Sequence, residues 1–130
     1  MKGFIYVLSN PSLPSLKIGQ TKADPSERVK ELTSSTSIPT PFSIEYYAYV
    51  EDYAKKEREI HEYLDEFRVN KKREFFDVEV PLAISVIESF CTVLYAERLT
   101  DKAVQKLSAS AEPRLSAPPP SSVKQNLISI

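Results

Sequence analysis

The chain has 130 residues, a net charge of −1, 42% apolar residues and 27% charged residues. That length supports one domain with its own core, and the near-neutral charge argues against a protein that coats nucleic acid nonspecifically. The single cysteine, Cys91, leaves no internal disulfide and no cysteine metal cluster, and reads as a small buried hydrophobe.

Phe4–Leu8 is a short apolar run ended by Ser9-Asn10-Pro11, which predicts a strand and a turn. It is too short for a signal-peptide core. No run approaches a membrane span, so a cytoplasmic location is expected. Leu16–Gln20 predicts a second strand, joined to the first by a long connection. Asp24-Pro25-Ser26-Glu27 is a helix start, with Asp as cap, Pro in the first turn and Glu at the third position. Val29 and Leu32 share a face of that helix, which should fade near 33–37.

Phe42–Val50 predicts a third strand, in which Tyr46 and Tyr47 must face opposite sides. Sequence alone does not say which of the two is core. Asp52–Phe67 has helical periodicity through Tyr53, Glu57, Ile60, Leu64 and Phe67. His61, the only histidine, borders that stripe. A polar loop holds Arg68, Lys71, Lys72 and Arg73, the densest basic cluster, and a short extended piece follows at 74–78. Pro81 opens an apolar helix expected to reach about Arg98.

Residues 108–122 include five Ser, four Pro and three Ala and read as a disordered or linker tail. The expected organisation is therefore a domain over 1–100 and a tail over 101–130. The expected fold is α+β, a small three-stranded antiparallel sheet flanked by helices.

Two triplets stand out. Phe4-Ile5-Tyr6 and Lys17-Ile18-Gly19 are separated by ten residues, and the only glycines, Gly3 and Gly19, bracket the stretch. With Arg28 on the first helix and Glu74 in "KKREFFDV", they resemble the motifs of the GIY-YIG endonuclease superfamily, in its short phage and bacterial branch. The second triplet carries Lys17 where the family has tyrosine.

The resemblance implies a divalent-metal-dependent endonuclease that hydrolyses DNA phosphodiester bonds. It implies Tyr6 as general base and Glu74 as ligand of Mg²⁺ or Mn²⁺. Arg28 has a planar fork suited to phosphate oxygens, and Lys17 would act as a point charge on phosphate or beside the tyrosine. His61 is a candidate support for the glutamate, the metal or a phosphate. Arg68, Lys71, Lys72 and Arg73 could guide the nucleic-acid backbone.

The first 100 residues carry 13 basic and 16 acidic side chains. An acidic body points to weak intrinsic DNA affinity, with specificity from a protein partner or a homodimer. A second reading stays open, a catalytically weak module that binds nucleic acid or protein.

Overall fold

The computed structural model describes residues 1–69 and 74–106. Lys71, Lys72 and Arg73 of the basic cluster, and the Ser/Pro/Ala tail, lie outside the described residues.

The described residues form nine elements and one 3₁₀ turn. They are β1 (Gly3–Asn10), β2 (Leu13–Thr21), α1 (Pro25–Ser35), β3 (Ser43–Val50), α2 (Tyr53–Tyr63), a 3₁₀ turn (Asp65–Phe67), β4 (Phe75–Phe76), α3 (Val80–Phe90), β5 (Val93–Arg98) and α4 (Asp101–Val104). The strands form one antiparallel sheet in the order β4-β2-β1-β3-β5.

The sheet has five strands where the sequence predicts three. Val93–Arg98 is not the end of a long helix. α3 stops at Phe90, and the chain turns to pair with the open edge of β3. Thr92, Val93 and Tyr95 are β-branched or aromatic, so their local preference agrees with that edge. The two first strands are also longer than expected. They run on to Asn10 and Leu13 and meet across a two-residue turn. Asn10 holds that turn, with its Oδ1 accepting from the Ser12 N–H at 2.9 Å and its Nδ2 donating to the Thr40 carbonyl at 2.8 Å.

α1 starts where its sequence signals place it. Asp24 accepts from the Ser26 N–H at 2.9 Å, and Pro25 occupies the first turn, where its missing N–H costs nothing. The expected helix 52–67 divides into α2 and the 3₁₀ turn.

Two cores flank the sheet. On one face Ile5, Val7, Ile18, Tyr46 and Ala48 pack against Ile60 and Leu64 of α2 and the largely buried α3. On the other, Tyr6, Leu8 and Phe42 pack with Val29 and Leu32 of α1. Tyr46 is thus a core residue, with its hydroxyl donating to Glu88 at 3.0 Å, and Tyr47 lies on the Tyr6 face. Cys91 packs against the larger core, and burial pushes its thiol up to about 12.

α4 extends the packed unit past residue 100. Thr100 caps it, Ala103 is fully buried, and Arg98 donates to the Ala103 carbonyl at 2.8 Å. A chain ending at Lys106 should therefore keep the parent melting temperature. A chain ending at Cys91 should lose several degrees and aggregate, because the β3 edge is uncovered. Thermal melts and size-exclusion profiles of the two truncations check this.

Candidate active site

Tyr6 and Lys17 share a sheet face because their strands pair in register. Tyr6 lies opposite Gly19, and Lys17 lies two residues from Gly19 on the same strand. Gly19 is required by this packing. A Cβ there would lie 2.5 Å from the Tyr6 hydroxyl oxygen and 2.6 Å from Cζ. The ring lies flat on β2 only because that position has no side chain. Gly3 does the same for the Tyr53 ring, 2.5 Å from where its Cβ would be.

Tyr6 is 1% exposed. Its hydroxyl pairs with the Arg28 guanidinium, which also reaches Glu31 at 3.2 Å and is 40% exposed. Burial raises the Tyr6 pKa. Arg28 opposes that shift, and Glu74 and Glu57 add to it, so the phenol keeps its proton at neutral pH.

Lys17 turns to a carboxylate rather than to the tyrosine. Its Nζ lies 3.0 Å from Glu74 Oε2 and 5.3 Å from the centre of the Phe75 ring. Lys17 and Glu74 line a cleft of about 310 Å³ with Phe75, Phe42 and Leu32.

Glu74 stands just before β4, where that strand ends against β2. The Ile18 N–H donates to the Glu74 carbonyl at 3.0 Å. The Ile18 carbonyl accepts from His61 Nε2 at 2.8 Å. His61 is buried, with its ring 5.0 Å from that of Phe76, and burial lowers its pKa, so the ring is neutral at neutral pH.

Glu57 lies one helical turn before His61 and is 8% exposed. Among the described residues its Oε2 has no hydrogen-bond partner. Burial, and then the nearby charge of Glu74, raise its pKa to about 7. Donor atoms of Glu57, His61 and Glu74 lie within 4.8 Å of one another, a set with the chemistry to hold a divalent cation. The orphaned carboxylate oxygen fits that use, because a buried acceptor is expected to have a partner.

The structure thus brings Tyr6, Lys17, Arg28, His61 and Glu74 to one end of the sheet. Arg68 pairs with Asp65 at 3.4 Å and lies 5.2 Å from the Phe76 ring. Sequence reasoning gives Glu57 no role. The available signal was a carboxylate on an apolar stripe, four residues before the only histidine.

An α+β domain with an open antiparallel sheet, one end of which gathers a tyrosine, two basic side chains, a histidine and two acids, is the class this architecture defines. The T5orf172 domain matches residues 3–91, and the chain belongs to that family, a phage-associated domain related to nuclease-like folds. The match covers β1 through α3, with every residue of the candidate site. β5 and α4 lie beyond it. No curated protein and no solved structure matches. No helix among the described residues is long and apolar enough to cross a membrane.

Two outcomes follow from this geometry. Gly19→Ala should push the Tyr6 ring off β2 and cost about 1–3 kcal/mol. Gly19→Ala with Tyr6→Leu should recover much of that loss, because the clash leaves with the ring. Thermal melts of the single and double variants read the coupling.

The second outcome concerns pH. Between about pH 4.5 and 7 the folded chain holds a proton on Glu57 that the unfolded chain releases. Stability from this carboxyl is greatest at low pH and declines as pH rises through that window. In EDTA, Glu57→Gln should therefore be more stable than the parent at pH 8, by on the order of 1–3 kcal/mol. The gap should close by pH 5. An equal gap at both values would show that the carboxyl does not titrate this way.

Proposed function

We propose that this protein is a divalent-metal-dependent endonuclease of the GIY-YIG type that hydrolyses DNA phosphodiester bonds. The observation that carries the reading is the convergence of Tyr6, Arg28, Lys17 and Glu74, from four separate segments, on one end of the sheet. Membership of a family related to nuclease-like folds supports it.

Phosphodiester hydrolysis needs a placed water, neutral charge around the phosphate and a stabilised leaving oxygen. Arg28 has five N–H donors. It can hold Glu31, the Tyr6 hydroxyl and a phosphate oxygen together. Its exposure lets a phosphate reach it, and a phosphate there lies beside the Tyr6 hydroxyl. Tyr6 first gives up its own proton to solvent; as the phenolate it orients the attacking water and takes that water's proton at Oη, becoming the phenol again. Arg28 favours the phenolate that this step starts from, and burial and the two carboxylates oppose it.

A divalent ion, Mg²⁺ or Mn²⁺, held by Glu74 would supply charge neutralisation at the phosphate and the leaving oxygen. Neutralising that carboxylate also removes part of what keeps the proton on Tyr6. Lys17 supplies a further positive charge at the cleft. The Tyr47 ring, 5.7 Å from Phe4 and 6.2 Å from Tyr95, offers an aromatic surface on the same sheet face for bases. The acidic body favours a protein partner or a homodimer as the source of specificity, in the cytoplasm.

The Lys17–Glu74 ion pair favours a second reading, a binding module with little catalysis, because it occupies the carboxylate that the metal would need. Nicking of supercoiled plasmid separates the two. The parent should nick with Mg²⁺ or Mn²⁺ and not in EDTA. Tyr6→Phe and Glu74→Gln should each lose on the order of 10²-fold or more in rate, as removal of one preorganised group does, with folding intact. DNA retention without nicking under any divalent ion would leave the binding module.

A further inference from the structure

We propose that Glu57, His61 and Glu74 form a three-ligand centre that prefers Mn²⁺ and similar first-row ions to Mg²⁺. This rests on the reading of Glu74 as a metal ligand and adds two ligands to it. The donor atoms lie within 4.8 Å of one another. Adjacent ligands on one ion with bonds near 2.1 Å are about 3 Å apart, so small side-chain rotations close the set.

Three features of the chain suit it to that use. Glu57 and His61 are four residues apart on α2, so one rigid helix face presents both. Glu57 Oε2 is buried without a partner among the described residues, and a bound cation would supply one. The Ile18 carbonyl only accepts, so His61 carries its proton on Nε2 and keeps the lone pair on Nδ1. A backbone carbonyl that fixes the tautomer of a histidine is the usual outer partner of a histidine metal ligand.

The imidazole nitrogen decides the preference. Mg²⁺ takes oxygen donors and keeps its waters, whereas Mn²⁺, Co²⁺ and Zn²⁺ accept nitrogen with carboxylates. Lys17 acts as the counter-charge that the ion displaces. Its ammonium sits on Glu74 at 3.0 Å, and two cations do not share that carboxylate oxygen without repulsion. Ion binding therefore turns Lys17 from Glu74 into the cleft that both residues line.

The test is titration of the full, EDTA-stripped chain with Mn²⁺, followed by calorimetry and pulsed electron paramagnetic resonance. The parent should bind one Mn²⁺ more tightly than Mg²⁺, with nitrogen modulation in the spectrum. Glu57→Gln and His61→Asn should each weaken binding tenfold or more. Lys17→Met should tighten it. Circular dichroism in EDTA checks the fold of each variant.

Parent Mn²⁺ without nitrogen modulation would overturn the proposal without any variant. Unchanged affinity in folded Glu57→Gln and His61→Asn would overturn it too. Plasmid nicking in the same samples keeps the two readings apart. Nicking with a single-ligand site sinks the three-ligand centre alone. A nitrogen-bound Mn²⁺ with no nicking sinks the nuclease alone.

Discussion

The edge of β2 at Ile18 is the point on which the site depends. β4 is two residues long, so the backbone groups of Ile18 lie at the end of the pairing. The N–H is satisfied by the backbone of Glu74 and the carbonyl by the His61 ring. A buried peptide group left unpaired would cost on the order of 1–3 kcal/mol. The two backbone polar groups of one residue thereby tie both α2 and the loop that enters β4 to the sheet. Tyr6 and Lys17 approach this edge from one sheet face. Glu57 and His61 approach it from the other, where α2 packs. Glu74 stands between them and is the residue that both groups reach.

Electrostatics at this edge are held out of balance. Tyr6 is buried under an arginine, yet its phenol is harder to ionise than in water, because burial outweighs Arg28. Glu57 is buried beside a second carboxylate and titrates near neutrality. Neither arrangement helps the fold. Both would ease if positive charge stood between Glu57 and Glu74, because the two carboxylates push Tyr6, and Glu74 pushes Glu57, in the same direction. The same distribution explains why Lys17 rests on Glu74. It is a mobile-stemmed cation beside two neighbouring carboxylates, Glu74 and Glu57.

Much of the core of this arrangement was legible in the sequence, and the reasons are local. Asp24-Pro25 is a cap signal whose physics lies within four residues, so α1 begins where it reads. Phe4–Leu8 and Leu16–Gln20 each read as a strand from their own composition, and both lie in the strands observed, paired across a turn shorter than the connection expected. The failures are non-local. Val93–Arg98 follows an apolar helix without a glycine or proline stop, and only the open edge of β3 makes it a strand. Tyr46 and Tyr47 differ by one position, and their faces are set by which helix covers which side. Glu57 was legible as part of a helical stripe but not as a buried acid with a raised pKa, because that depends on how α2 packs against β1, β2 and α3 and on the charge of Glu74, 17 residues away in the chain.

Lys17 shows how the length of one side chain sets where the charge of a site lies. Position 17 lies opposite Leu8 on β1 and opposite Phe75 on β4, so any side chain there starts from the floor of the cleft. An aromatic residue would stay on that floor, fixed by two torsions. The lysine stem is long and unbranched, so it bends over Phe75 and carries its charge to the sheet edge. The charge then belongs to Glu74 rather than to Tyr6. Among the described residues, Arg28 is the cation left beside the phenol. The site therefore divides its positive charge by element, with α1 serving the tyrosine and β2 serving the acid. On the proposed reading, a ligand carrying both phosphate and cation would satisfy both halves at once: the phosphate would meet Arg28, and the cation would take the place of Lys17 on Glu74, leaving the ammonium in the cleft that Lys17 and Glu74 line.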